Sequence, residues 1–145
     1  MPQGMSQDKP QAMQRFDILK TAGLIDEAVY RAITAVRQQF VQWQIDCETA
    51  QVEMLLTHLA MALMRIQKGE PQTIGLDNEI WQEVTARECY PELLAYHQRI
   101  LSLIAIELPH LLISAQEESY LIANLYSLSL EQQHIFNLNL QKNED

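Results

Sequence analysis

Apolar positions recur along this chain at three- and four-residue intervals and almost nowhere at intervals of two. Val29, Ile33, Val36 and Phe40 repeat with the turn of a helix, and Asp26 stands ahead of them as a capping residue, predicting a helix from about Asp26 to Trp43. A second stripe, Val52, Leu55, Leu56, Leu59, Leu63 and Ile66, predicts a helix from about Thr49 to Lys68, with Gly69 as its stop. Gly69 to Gly75, containing Pro71, reads as a loop. A third helix is expected over about Asn78 to Glu88. A fourth starts near Pro91, a residue suited to a first helical turn, and ends before Pro109. The fifth has the sharpest start. Ser114 and Glu117 form an S-x-x-E capping box ahead of Leu121, Ile122, Leu125 and Leu128. Residues 129–140, with Leu130, Phe136, Leu138 and Leu140 loosely patterned, offer a sixth helical piece.

Composition supports that reading. Neither Gly nor Pro occurs between Leu24 and Lys68, and Leu, Ala, Gln, Glu and Met, all good helix formers, dominate. Valine occurs only five times, so a sheet has little material. The expected fold is all-α: a single domain of five to six helices in antiparallel pairs, over residues 16–140. Residues 1–15 hold Pro2, Gly4, Pro10 and four glutamines without an apolar period, and read as a disordered tail. Residues 141–145 read as a frayed C-terminus. A chain of 145 residues buries roughly 68–70% of its unfolded surface, enough for one core.

Charge and cysteines narrow the classes. Ten Lys and Arg against 19 Asp and Glu leave a formal charge of −9, a poor match to a phosphate backbone, so no direct nucleic-acid binding is expected. The longest apolar run, Leu101 to Leu112, is interrupted by Glu107, Pro109 and His110, far short of the ~20 residues that cross a bilayer. The N-terminus lacks the apolar stretch of a secretory signal. Cys47 and Cys89 form no metal pattern and are expected to be free, small apolar residues in a reducing cytoplasm.

Few residues suggest chemistry. His58, His97, His110 and His134 form no i, i+3 or i, i+4 pair with another His or Cys, so no metal or other cofactor is expected. No nucleophile elbow, Walker loop or dinucleotide fingerprint is present, and the chain is not expected to be an enzyme. A site assembled from distant residues is the remaining route to one. Glu117 and Glu118 open the fifth helix, where a carboxylate favours the helix dipole. Glu118 falls in the apolar half of the wheel beside Leu125, a position that asks for a partner inside the fold. Trp43 and Trp81 are expected to anchor the core or an interface. His58 lies about 100° from the centre of its helix's apolar stripe, at the edge of the buried face. An imidazole there can be held in place and still be reached from solvent, as a phosphoacceptor or general base requires. A boundary histidine that only packs occupies the same position.

Two segments carry a resemblance. Thr57-His58-Leu59-Ala60-Met61-Ala62-Leu63-Met64-Arg65 and Glu117-Glu118-Ser119-Tyr120-Leu121-Ile122-Ala123-Asn124-Leu125 resemble the two signature helices of the PTS regulation domain, or PRD. In the first signature a His precedes a small apolar run and an Arg seven residues on, matched by His58 and Arg65. In the second an acid is followed by an aromatic and then by a His seven residues after the acid, matched by Glu117 and Tyr120 but with Asn124 in the last place. The resemblance spans roughly Asp26 to Leu130. It implies an all-helical, dimeric regulatory module of a bacterial cytoplasm that takes phosphoryl groups on histidine from the sugar phosphotransferase system and so controls transcription. His58 becomes the candidate phosphoacceptor, with Arg65, Glu117 and Asn124 in support. The implied partners are a phosphocarrier or sugar-specific component, a second copy of the chain and an unidentified effector protein. Asparagine has no nucleophilic ring nitrogen, so Asn124 can hydrogen-bond but cannot carry a phosphoryl group. Loss of that second acceptor leaves open a helical dimerisation or docking protein that is not phosphorylated. The segments outside the resemblance are too short for a nucleic-acid-binding domain, so the output must pass through another protein.

Overall fold

The computed structural model describes residues 11–135, and these form α1 (Gln11–Thr21), α2 (Glu27–Gln42), α3 (Ala50–Gln67), α4 (Asn78–Thr85), α5 (Tyr90–Glu107) and α6 (Ala115–Glu131). No strand occurs among the described residues. The all-α architecture agrees with the periodicity of the sequence, and the helix count falls within the five to six expected.

The helix starts are set by local chemistry. Asp26, Thr49, Asp77 and Ser114 each cap the helix that follows by accepting a backbone N–H. The stops are equally local. Gly23 and Gly69 adopt left-handed backbone after α1 and α3 (φ 78° and 77°). In each case the next two amides fold back on the last turn, as with Gly69 N to Ile66 O (3.0 Å) and Glu70 N to Arg65 O (2.9 Å). The same closure follows α2, where Gln44 takes the left-handed position without being glycine (φ 64°). α4 ends at Thr85, three residues earlier than the pattern suggests, with Ala86 as its C-cap.

Two sequence expectations change. Residues 11–15, read as part of a disordered tail, are the opening of α1, and Met13 and Phe16 are buried in the core. The segment is polar overall, and a short helix of this kind is sustained by packing rather than by propensity. The sixth helical piece is in part the end of α6, which runs on to Glu131. The expected tail over residues 1–10, the rest of that sixth piece from residue 136 and the frayed C-terminus at 141–145 lie outside the described residues.

α2 is central and contacts α1, α3 and α5. It contributes Val29, Ala32, Ile33, Val36 and Phe40 to one continuous apolar core, with Val52, Leu56, Leu59 and Leu63 from α3 and Leu93, Ile100 and Ile104 from α5. Each Val, Leu, Ile or Phe among them contributes about 1.5–3 kcal/mol by leaving water. α2 and α5 run antiparallel. Arg31 Nε reaches Glu107 (2.8 Å), Arg99 Nε reaches Gln39 (2.8 Å), and Trp43 stacks on Tyr96 at 4.3 Å between ring centroids. Trp81 packs edge-on to Tyr90. Both tryptophans are half-buried against the core.

The chain is also closed at its far end. The Gln132 side-chain amide pairs with the backbone of Asp46 in both directions, donating to its O (3.0 Å) and accepting from its N–H (2.7 Å). Nearby, the Tyr96 hydroxyl donates to Ile135 O (3.0 Å) and His134 Nε2 lies 2.8 Å from Gln44 O. A carbonyl only accepts, so Nε2 carries the His134 proton.

Candidate functional site

α3 and α6 lie side by side in opposite directions, the end of one against the start of the other. This brings His58, Arg65, Glu117 and Asn124 to the wall of one open cavity of 360 Å³. Gln72 from the α3–α4 loop and Tyr120 also line it, and Met61, Ala62 and Leu121 supply its apolar surface. The sequence separates the two halves by 52 residues between Arg65 and Glu117, and the fold joins them directly.

His58 is exposed at the cavity rim, while its neighbour Leu59 is buried in the core. Arg65 lies seven residues further along α3, which is close to two full turns and so the same face. Its Nη2 donates to both carboxylate oxygens of Glu117 at 3.2 Å. Glu117 is only 2% exposed. One of its oxygens also accepts the backbone N–H of Gln72 at 2.7 Å. Arg65 Nε is buried and has no hydrogen-bond partner among the described residues.

The Glu117 arrangement corrects the capping-box reading. Ser114 Oγ does accept the N–H of Glu117 (3.2 Å), which is the first half of the box. The Glu117 carboxylate, however, turns inward to Arg65 and Gln72 rather than back to the first turn of its own helix. A full charge with few routes to water takes the cation that the facing helix offers.

The α3–α4 loop is strapped to α6 at two further points. Leu76 N–H donates to Ser119 Oγ (3.1 Å), and the Tyr120 hydroxyl donates to Gly75 O (3.2 Å). The role of Gln72 is played by its backbone amide, so no side-chain pattern announces it. Tyr120, the aromatic of the second signature, joins the site residues on the cavity wall.

The other titratable groups lie elsewhere. His97 is 1% exposed on α5, and its Nε2 lies 2.8 Å from Glu118, the partner that Glu118's place on the wheel called for. Its Nδ1 has no partner among the described residues. The signal for this pair was present, because His97 falls in the stripe Leu93, Tyr96, Ile100 and Ile104. His110 is exposed beside a shallower hollow of 470 Å³ between the end of α3 and the α5–α6 connection. Both cysteines are free. Burial pushes the Cys47 thiol up to about 11 and raises that of Cys89, so both are protonated at neutral pH. Cys89 is half-buried rather than fully buried. Among the described residues, no three His, Cys, Asp or Glu side chains gather in a way that could hold a metal ion, and no helix is long and apolar enough to cross a membrane.

The site thus presents an accessible imidazole, a guanidinium on the same helical face, a buried carboxylate that fixes that guanidinium, and an amide. Such a set can accept and steady a small anionic group. An uncharacterized protein of Haemophilus influenzae is 32% identical to this chain over 112 residues, covering 77% of this chain and 85% of that protein. The uncharacterized protein YhfY of Escherichia coli is 32% identical over 115 residues, covering 79% of this chain and 91% of YhfY. The chain belongs to the family that includes these two bacterial proteins. No family model matches it, and no solved structure matches it.

Proposed function

We propose that this chain is a regulatory module of the bacterial sugar phosphotransferase system, acting in the cytoplasm and phosphorylated on His58. The observation that carries the reading is the meeting of His58, Arg65, Glu117 and Asn124 in one cavity, from two segments that resemble the paired PRD signatures. The module is not itself an enzyme. A lone pair on one ring nitrogen of His58 forms the N–P bond while the P–N or P–S bond of a phosphohistidine or phosphocysteine carrier breaks. The bonding pair stays with the carrier atom, and the other ring nitrogen of His58 keeps its proton. Catalysis of such a step is mainly positioning and charge stabilisation, for which Arg65 is the available cation. The phosphoryl group adds about −1.5 to −2 of charge to a protein that already carries −9. At a two-fold interface that charge is doubled by symmetry and shifts the dimer or the effector complex, and through the effector, transcription.

The test is phosphoryl transfer in a reconstituted system of phosphoenolpyruvate, the first general enzyme, the phosphocarrier and sugar-specific components. Intact mass is read in alkali, where phosphohistidine survives. One phosphoryl group is expected on the native chain and none on His58→Ala. Addition to neither, or equally to both, overturns the proposal.

Asn124 favours a second reading, a docking module without phosphorylation, because the place of the second acceptor is filled by an amide. That reading expects a stable partner whose binding survives His58→Ala.

A further inference from the structure

We propose that residues 69–77, the strap between α3 and α4, report the state of His58 through Arg65 and Glu117. This inference rests on the reading of His58 as the acceptor. The strap is held where the cavity is built. Gln72 N–H binds a Glu117 oxygen at 2.7 Å, and that carboxylate is in turn neutralised by Arg65. One guanidinium therefore sits between the acceptor and the tie that holds the loop.

A phosphoryl group on His58 competes for that guanidinium. Helical side chains lean toward the N-terminus of their helix, so Arg65 leans along α3 toward His58. The Cα atoms of the two are about 10.5 Å apart along the axis, a gap that an arginine and a phosphoimidazole span between them. A phosphoryl dianion offers more charge than the Glu117 carboxylate and a matching fork of oxygens. Arg65 Nε is buried and has no acceptor among the described residues, so it is a donor free to serve the phosphoryl group once the side chain turns. When Arg65 turns, Glu117 is left as a buried carboxylate with the single N–H of Gln72. An uncompensated buried charge is costly, and the nearest relief is for the strap to lift and admit water. The ties at Leu76 and Tyr120 are neutral hydrogen bonds further along, so opening begins at Gln72. Ile74, 76% exposed, stands between Gln72 and those ties, and beyond them comes Asp77, the N-cap of α4, so the change leaves the site through α4.

The experiment follows amide hydrogen exchange by NMR on the full chain, before and after phosphorylation with the reconstituted system or with phosphoramidate. Peptide mass locates the phosphoryl group. The expected result is exchange at Gln72 faster by about tenfold or more, the loss of one hydrogen bond to a charged acceptor, with Val36 in α2 unchanged. Phosphoryl on His58 with Gln72 exchange unaltered overturns the inference and leaves the proposed function standing. Absence of phosphoryl on His58 from either donor overturns both. In Glu117→Gln, a near-isosteric variant whose neutral amide can still accept the Gln72 N–H and leaves no charge stranded, Gln72 exchange is expected to stay close to its unmodified rate after phosphorylation. A Glu117→Gln chain that responds like the native one also overturns the inference.

Discussion

His97 and Glu118 form an asymmetric pair, and the asymmetry fixes which of the two can be removed cheaply. His97 is 1% exposed, bonded to Glu118 through Nε2 and unpartnered at Nδ1 among the described residues. The Glu118 side chain keeps 32% of its surface in solvent. Glu118→Ala leaves a second buried ring nitrogen unsatisfied, and a newly orphaned buried polar group costs about 1–3 kcal/mol. A central value of about 2 kcal/mol corresponds to a fall in Tm of about 6 °C for a chain of this size. His97→Leu acts differently. It removes the orphaned Nδ1, continues the stripe of Leu93, Tyr96, Ile100 and Ile104, and lets Glu118 turn to water. The lost hydrogen bond and the relieved penalty are of similar size, so the net change is expected within about 1 kcal/mol of zero. Urea unfolding of both variants, followed by helical circular dichroism, gives the two values. His97→Leu costing as much as Glu118→Ala would refute the argument that the histidine is the dependent partner.

Three further outcomes are expected. Phe40→Ala, at a fully buried position in α2, should cost about 3–5 kcal/mol in urea unfolding, whereas Ile74→Ser on the exposed strap should stay within about 0.5 kcal/mol. Gly69→Ala meets no atom within 4 Å but keeps a left-handed backbone at φ 77°, so it should lower stability by about 1 kcal/mol through backbone strain alone. Alkaline pH should destabilise the fold. Burial holds the Cys47 thiol at about 11 against an ordinary 9.0, and burial followed by the Glu92 charge holds the Tyr96 phenol at about 12 against 10.0. The unfolded chain therefore releases these protons first, and stability falls as pH rises from about 9 toward 12. In Cys47→Ala the decline should be shallower between about pH 9 and 11, because only the smaller contribution of Cys89 and then that of Tyr96 remain, as read by unfolding at stepped pH.

The helices were legible because their signals are local. Asp26, Thr49 and Ser114 cap where the sequence places them, and Gly69 stops α3 in left-handed backbone. α1 was missed because its helicity depends on where Met13 and Phe16 are buried, and a polar segment gives no sign of that. The site was legible in part. His58, Arg65, Glu117 and Asn124 came from signature spacing, and the antiparallel contact of α3 and α6 gathers them. The direction of the Glu117 carboxylate was not legible. Ser114 and Glu117 satisfy a local rule, but the carboxylate's choice is decided by Arg65, 52 residues earlier, and by a backbone amide that any residue at position 72 would supply.

The pairing of Gln132 with Asp46 bears on how the chain is made. A growing polypeptide exposes residue 46 long before residue 132 leaves the ribosome. Until then the turn between α2 and α3 lacks the partner for its N–H and C=O, and Gln44 O lacks His134. The first helices can therefore assemble early, but the connection that orients α3 locks only when the residues that follow α6, Gln132 and His134, arrive. A nascent chain halted before that point should keep the Asp46 turn open to protease, and completion of synthesis should close it.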